Sequence, residues 1–562
     1  MKWAAKRLRR TIGLLAVCAM TVPAVFAQTS LQKSDVAEQS KQARIPVLAY
    51  HNVLLTKDED ELRESVTVDD LSRHFAWLAA KGYTPITVEQ LRLAATKPSV
   101  LPRKPVLLTF DDGFESTYTH VLPLLRAYQW PALVAVVGSW VEAREQSDAP
   151  PAKGQPRYLN KEEIRELNDS GLIEFASHTY DLHHGVLANA WGNQQPAAVT
   201  RIWTDTDIES DGQWTARVRA DIARNQAYLQ KLTGKAPQAL VWPYGRDNDA
   251  LKAVAKDTGL AVLFTLDDGI SDVTQGLDSV RRHLVTRDEQ EGDLASLMEA
   301  TDTSISPLRA IRLRVSDLSE PLPTAKDSGT TSSMSGSLNK LLEAGGNTLI
   351  LDPFSRVNGK IVASFFHNSV LPLTRDYAHR VSALASGKAG YRTWLTVSLE
   401  SDAYAGLTKD QALQVVEDAA KAMPLAGLVI ENAQRVDVAT VLAIRKRVAT
   451  WRSSPVIVLD WNGPYEPRLD TVRVESGAQF VIAAQAVLPE AVLDRSWLVV
   501  DVNAGSLPNL RSAARAGYVN FSLSSIPPVT LDWLTSFSLR GKPLQRVTLP
   551  AEVSPGRDAR KE

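Results

Sequence analysis

One cysteine in 562 residues narrows the options for this chain at once. It is Cys18, inside an apolar run from Ile12 to Phe26, and removal of that run would leave no thiol at all. A disulfide framework and thiol chemistry are thereby excluded. Charge of one sign is also lacking: the formal net charge is -1, so bulk electrostatics favours neither nucleic acid nor an anionic membrane. The Ile12 to Phe26 run is too short and too close to the terminus to read as a transmembrane anchor.

That run reads instead as part of a secretory signal. Lys2, Lys6, Arg7, Arg9 and Arg10 form a basic region before it, and Val25 and Ala27 fit a small-residue cleavage site. The expectation is a signal peptide over 1–27 and export to the periplasm. An alternative reads Leu15-Ala16-Val17-Cys18 as a lipoprotein signal, which would tie the chain to the outer membrane through Cys18. Residues 28–44 are polar and aperiodic and read as a linker. The hydrophobic content of 44% and charged content of 23% are those of a globular protein. The length demands two or more domains.

Strands and helices alternate from Ile45 onward. The predicted strands are Ile45 to Tyr50, Pro105 to Leu108 and its continuation into Thr109-Phe110, Ala132 to Val137, Leu172 to Ser177, Ala239 to Trp242 and Ala261 to Thr265. Helical spacing covers Val68 to Lys81, Tyr118 to Tyr128, Lys161 to Ser170, Arg217 to Leu232 and Asn248 to Thr258, with a loop over 144–157. Such alternation predicts α/β architecture with a parallel sheet. Residues 186–216 interrupt it with Trp191, Trp203 and Trp214 among amide and carboxyl side chains. These aromatics suit the stacking of sugar rings, or they pin the insertion to the domain. Beyond about residue 303 the alternation restarts. Eight predicted strands begin near Ile311, Thr348, Thr393, Gly427, Val456, Phe480, Trp497 and Tyr518. That pattern predicts a TIM-like barrel over 304–550. Residues 319–337 read as a flexible loop and 551–562 as a charged tail.

The chemistry concentrates at strand ends. Asp111 and Asp112 follow the apolar strand and precede Gly113. Adjacent buried carboxylates repel unless a cation or donors hold them ionised. A metal on one, with the other left as a base, resolves the conflict; an ordinary strand followed by an Asp-Gly turn is the plain alternative. His178 ends a later strand and His183 lies in the loop beyond it. Asp112 with His178 and His183 would make a His₂-carboxylate site with a position open for water, the pattern of a catalytic metal. Zinc is the default for that donor set, and Ni²⁺, Co²⁺ or Fe²⁺ also fit. His51 closes the first strand, where a capping histidine is the alternative. Trp242-Pro243-Tyr244-Gly245 is a sharp turn that could aim a backbone N–H at a developing oxyanion, or is a turn and no more.

These motifs, T-F-D-D-G, H-T-x-x-x-H and W-P-Y-G in that order, resemble the polysaccharide deacetylase family, carbohydrate esterase type 4, over about residues 45–300. The two histidines are one residue further apart than in the common H-[ST]-x-x-H form. The Y-H-N-V segment at 50–53, the N-Q-Q-P-A-A segment at 193–198 and the second barrel are similar to the members that act on exported poly-β-1,6-N-acetylglucosamine in biofilm systems. The resemblance implies a distorted deacetylase-type barrel over 45–303 in tandem with a glycoside-hydrolase-type barrel. It implies a divalent metal on Asp112, His178 and His183, with Asp111 as general base and His51 as general acid. Trp242, Pro243 and Tyr244 would form the substrate and oxyanion side. The expected partners are poly-N-acetylglucosamine and an outer-membrane export porin, with no nucleic acid and a monomeric state. Peptidoglycan, chitin or xylan are alternative substrates.

For the second barrel the resemblance implies binding, and in some members cleavage, of the partly deacetylated polymer. Its candidate acids are Glu431, Asp352 and Asp460, with Glu400 and Asp501 also placed after strands. Glycoside hydrolysis needs two suitably spaced carboxylates. Glu431-Asn432 stands where the resembled members carry paired acids, so polymer binding is expected over cleavage. A bifunctional deacetylase–glycosidase and a non-catalytic binding protein complete the alternatives.

Overall fold

The computed structural model describes residues 43–548 except 58–63, 147–154, 191, 268, 288, 290, 299–303, 306–307, 318–345, 388–391, 453–454, 462–467, 485–496, 504–519 and 525–546. The expected signal peptide with Cys18, most of the linker, Trp191, the 319–337 loop and the tail lie outside the described residues. Contacts divide the chain into two compact units. The first takes residues up to His178 with Asn225–Val241 and Leu260–Ala300, and the second takes Thr179–Arg224, Trp242–Gly259 and Thr301 onward.

The first unit is built on an open half-barrel of parallel strands. These are β1 (Val47–Tyr50), β2 (Pro105–Phe110), β3 (Ala132–Val136), β4 (Ile173–Ser177), β5 (Ala239–Val241), β6 (Val262–Phe264) and β7 (His283–Leu284). They lie in the order β6-β5-β4-β3-β2-β1-β7, with Thr84–Pro85 paired to β2 beside that path. Every residue of β2 is buried, as a strand covered on both faces requires. The period of two then sorts its side chains. Val106, Leu108 and Phe110 join one core with Leu48, Tyr50, Val134 and Val136. Leu107 joins the other with Val47, Leu133, Ala176 and Val241. Helix α1 (Val68–Ala80) covers the first face with Leu71, Phe75 and Leu78, and a reciprocal Thr67–Asp70 capping box starts it. Continuing the alternation past the strand ends puts His51, Asp111 and His178 on the face of Val47, Leu107 and Ala176. This parity brings three residues far apart in sequence to one mouth of the sheet.

Two local expectations change. The segment before Tyr128 enters as a π-helical turn at Thr117–Val121 and becomes α-helical only at Leu122, where Pro123 lies in the first turn. The helix expected from Arg217 starts at Asp211 and runs to Thr233 (α2). Its start is a Ser-x-x-Gln box: Ser210 N–H donates to Gln213 Oε1 at 2.9 Å, and Gln213 N–H donates to Ser210 Oγ at 3.3 Å. That cap outweighs the helix-weakening Gly212.

The second unit holds a closed parallel barrel of eight strands. They are β8 (Arg309–Arg314), β9 (Thr348–Asp352), β10 (Arg392–Val397), β11 (Gly427–Ile430), β12 (Val456–Trp461), β13 (Phe480–Ala484), β14 (Leu498–Asn503) and β15 (Asn520–Ser524). Ala310, Ile350, Trp394, Val429, Val458, Ile482 and Val499 fill its core. Gly427 sits where a Cβ would come within 2.6 Å of the Val456 carbonyl oxygen and 2.9 Å of the Trp394 ring. Only glycine lets β11 approach β12 beside that indole. The same parity aims Arg312, Asp352, Glu431, Asp460 and Asp501 inward at the C-terminal ends of the strands. In the 179–224 part of this unit, Trp214 is buried and donates from Nε1 to the Ala198 carbonyl at 2.9 Å. The Arg201 guanidinium lies 4.2 Å from the Trp451 ring. Trp214 therefore pins the insertion, while Trp203 packs at 5.6 Å from the His367 ring.

Candidate active site

Asp111 and Asp112 end β2 and take different surroundings. Asp111 extends the ladder through its N–H to the Tyr50 carbonyl at 2.9 Å. Its carboxylate is buried and accepts from Arg282 Nη1 at 2.8 Å, and its other oxygen lies 3.8 Å from His51 Nε2. Arg282 is itself fully buried and also donates to Thr109 Oγ1 at 3.1 Å and to the Thr265 carbonyl at 2.9 Å. Burial alone would raise the Asp111 pKa, but the charges of Arg282, His51 and His178 outweigh it and hold the carboxyl below its ordinary range. Asp111 is thus an ionised acceptor at neutral pH.

Asp112 turns away with φ +72° and Gly113 follows with φ +73°. An aspartate tolerates that left-handed region, and a glycine enters it freely. Across from it, His178 places Nδ1 2.7 Å from the Val241 carbonyl oxygen. A carbonyl can only accept, so Nδ1 carries the proton and Nε2 of the neutral ring is bare. That bare nitrogen lies 3.2 Å from Asp112 Oδ1. A lone pair facing a carboxylate oxygen calls for a cation between them. His183 completes the set: the three residues each offer one ligand atom, and these atoms lie within 4.8 Å of one another. Burial pushes the His178 pKa down, yet Asp112 and Asp111 together raise it above the ordinary value. The position attracts positive charge, and the donor set fits a divalent metal.

The loop carrying both histidines is held by α2. Asp221 accepts the N–H groups of Tyr180 and Asp181, each at 2.8 Å, one on each carboxylate oxygen. Arg224 donates to Tyr180 Oη at 2.7 Å and stacks 3.5 Å from its ring. Asn225 donates to Ser177 Oγ at 2.9 Å. These contacts stabilise Thr179, whose φ of +68° is costly for a β-branched residue. Asp221→Asn would turn an amide donor toward one of those N–H groups. The expected outcome is metal binding weakened by about tenfold, read by calorimetric titration.

Trp242 and Pro243 are buried after β5, and Tyr244 adopts φ +57° inside the turn Pro243–Gly245. The Tyr244 ring packs 4.4 Å from the His183 ring. His51, Asp111, Asp112 and His178 thus stand at the ends of β1, β2 and β4, with Arg282 just before β7. Arg282 and Asp221 were not among the residues singled out in the sequence. Arg281-Arg282 reads locally as surface charge, and no spacing marks an arginine that closes against a strand 171 positions away.

Residues 99–263 match the family model of polysaccharide deacetylase. They form a polysaccharide deacetylase domain. The poly-beta-1,6-N-acetyl-D-glucosamine N-deacetylase of Escherichia coli (strain K12) is 30% identical over 433 residues, 74% of this chain and 62% of that protein. A protein of the same name from Staphylococcus epidermidis is 25% identical over 295 residues, 50% of this chain and 93% of its own. A de-N-acetylase structure from Aggregatibacter actinomycetemcomitans is 33% identical, covering 45% of this chain and 99% of its own, with a TM-score of 0.42. The chain spans 62% of the length of the Escherichia coli relative. The deacetylase domain contains Asp111, Asp112, His178, His183 and Tyr244, while His51 and Arg282 lie on either side of the matched segment.

The acids of the second barrel are engaged by arginines. Arg356 Nη2 donates to both Glu431 oxygens at 3.1 and 3.0 Å, and its Nε lies 3.7 Å from Asp352. Arg312 pairs with Asp460 and lies 3.7 Å from Asp501. Glu400 pairs with Arg435 at 3.0 Å. Burial raises the Glu431, Asp352 and Asp460 carboxyls, and the arginines offset it only in part.

Proposed function

We propose that this protein is a divalent-metal-dependent hydrolase that removes N-acetyl groups from exported poly-β-1,6-N-acetyl-D-glucosamine. The observation that carries the reading is the division of labour in the aspartate pair. Asp112 faces His178 and His183, while Asp111 is held ionised by Arg282 within reach of His51. Amide hydrolysis needs a polarised carbonyl, an activated water and a proton for nitrogen. A divalent cation held by Asp112, His178 and His183 would supply Lewis acidity and water activation. Asp111 takes the proton of the attacking water as the C–O bond forms. The electrons of the carbonyl move to its oxygen, which the Tyr244 backbone N–H stabilises in this reading. His51 gives a proton to the amide nitrogen as the C–N bond breaks. Acetate and the protonated amine leave, the remaining proton of the water passing from the new carboxyl to nitrogen, and the proton taken by Asp111 balances the one given by His51.

The named relatives support the polymer, because their names carry that substrate. Peptidoglycan, chitin and xylan are the rival substrates. In the same proposal the second barrel binds the polymer rather than cutting it, since Arg356 and Arg312 occupy the acids that a cleavage site needs free. An outer-membrane porin that exports the product and a role in biofilm formation complete the reading. The test is acetate release from β-1,6-linked N-acetylglucosamine oligomers, with and without chelator. Release that stops with chelator and returns on adding Zn²⁺, Ni²⁺, Co²⁺ or Fe²⁺ is expected. Oligomer binding without any release by metal-loaded protein would make this a binding protein, and faster release from chitin or xylan fragments would reassign the substrate.

A further inference from the structure

The two histidines that face the aspartate pair from strand ends are held in different ways. The Val241 carbonyl fixes the His178 ring through Nδ1, the support that commonly orients a functional imidazole. His51 has no such hold. Its Nδ1 is buried without a hydrogen-bond partner, and its Nε2 lies 3.8 Å from Asp111 Oδ2, beyond hydrogen-bond length. The His51 ring therefore takes its place from the backbone on either side of it. On the N-terminal side that support is the last rung of the sheet, Asp111 N–H to the Tyr50 carbonyl at 2.9 Å.

On the C-terminal side it is a clasp made by side chains. Ser116 Oγ donates to Asn52 Oδ1 at 2.8 Å and accepts the Val53 N–H at 3.1 Å. Asn52 and Ser116 are both buried, so the two bonds lie largely out of water. The Asn52 carbonyl accepts the Val66 N–H at 3.0 Å, where the chain enters the short parallel pair of Val53–Leu54 with Val66–Thr67.

Ser116 is not spent on its own helix. It stands just before the turn Thr117–Val121 with φ -59° and ψ -23°, where a serine commonly caps an N–H of the helix it starts. Its side chain makes no capping bond. The hydroxyl reaches instead to residues 63 and 64 positions earlier. The loop that carries it is held from behind. Glu115 N–H donates to the Arg157 carbonyl at 2.9 Å, and Leu159 N–H donates to the Gly113 carbonyl at 2.8 Å. Asp111, Asp112 and Ser116 thus share one braced loop, and the clasp ties that loop to the residue after His51.

We infer that the Ser116–Asn52 clasp is a positioning device that sets His51 against the aspartate pair. The inference rests on the deacetylase reading for the role of His51 as the acid. Ser116 and Asn52 act through His51 and not on the substrate. Misplacing a reacting group by about 1 Å can cost about 10²-fold in rate. The loss should depend on the leaving group. An amide nitrogen must be protonated to leave, whereas 4-nitrophenolate leaves an ester without a proton.

The test compares wild type with Ser116→Ala in the full metal-loaded chain on two substrates, β-1,6-linked N-acetylglucosamine oligomers and 4-nitrophenyl acetate. The kcat for acetate release from the oligomers is expected to fall about tenfold at unchanged KM, with ester hydrolysis within about twofold of wild type. Adding Ser116→Ala to His51→Ala is expected to cost nothing further, because the clasp acts through the ring already removed. Asn52→Ala, which keeps the Ser116 bond to Val53, is expected to show the same selectivity and decides the matter where Ser116→Ala does not fold. A readout without metal or substrate is histidine-ring NMR of the metal-free chain, the His51 signal being assigned by its absence in His51→Ala. That signal is expected to shift in Ser116→Ala. A wild type that releases no acetate would sink the deacetylase reading and leave the ring signal to decide the clasp. An equal fall on both substrates, a further loss in the double variant, or an unmoved ring signal would overturn the inference.

Discussion

Asp111→Asn is expected to lower acetate release by about 10³-fold while leaving metal binding nearly intact. General-base catalysis is worth about 10²–10⁴ in rate, and an amide cannot take a proton at neutral pH. Its carbonyl oxygen can still accept from Arg282 Nη1, now 2.8 Å from Asp111 Oδ1, so the mouth of the sheet keeps its shape. The measurement is the rate of acetate release at saturating metal, alongside a calorimetric metal titration and a thermal melt. Loss of rate with metal affinity within about threefold of wild type separates the base from the ligands. Asp112→Asn is the contrasting variant, because Asp112 faces His178 and His183. If Asp111→Asn kept most of its activity, the base would have to be sought elsewhere. If it lost metal instead, the roles given to the two aspartates would be exchanged.

Much of this architecture is legible before any coordinates are seen, for one physical reason. Strands buried on both faces of a parallel sheet are apolar along most of their length, so Pro105–Phe110, Gly427–Ile430 and the 456–459 part of β12 stand out as short apolar runs. The polar residue that ends such a run is then conspicuous. Asp111, His178 and Asp460 could be picked out in this way. Insertions are harder. The cap on α2 depends on Ser210 and Gln213 reaching each other across Gly212, and the glycine conceals it. Trp214 could have faced a sugar or the interior; its hydrogen bond to the Ala198 carbonyl shows that it faces inward.

Arginines mark the limit of sequence reading here. Arg282, Arg312 and Arg356 each change what a carboxylate can do, and none sits near its partner in sequence except Arg356 with Asp352. Charged residues are mostly exposed, so the default for an isolated arginine is the surface. The acids of the second barrel are visible as candidates, but their pairing with arginines is a tertiary fact. It turns Glu431 from a plausible acid catalyst into half of an ion pair.

Arg282→Met is expected to be among the most damaging single changes in the first unit. The guanidinium is fully buried and its charge faces the buried Asp111 carboxylate. Removing one partner of a buried pair costs about 3–5 kcal/mol, because the other charge is left without compensation. The sign of the pH dependence follows from the same pair. In the wild type the Asp111 pKa is held below its unfolded value, mainly by Arg282 acting against burial. Its contribution to stability is therefore present above the unfolded carboxyl pKa of about 3.9 and is lost as pH falls through the folded value. Without Arg282, burial dominates and the folded pKa rises above the unfolded one. The contribution of Asp111 is then retained in acid and lost as pH rises through that higher value. Denaturant midpoints at acid and neutral pH read this directly, the gap between wild type and variant widening toward neutrality. Acetate release should fall as well, because a smaller share of the Asp111 base is ionised at a given pH once Arg282 is gone, and the acid limb of the rate should move upward. The double variant Arg282→Met with Asp111→Asn removes both charges and is expected to recover much of the lost stability without recovering activity. A gap between wild type and Arg282→Met that does not vary with pH would mean that Arg282 acts through Thr109 and Thr265 alone, and not through the charge of Asp111.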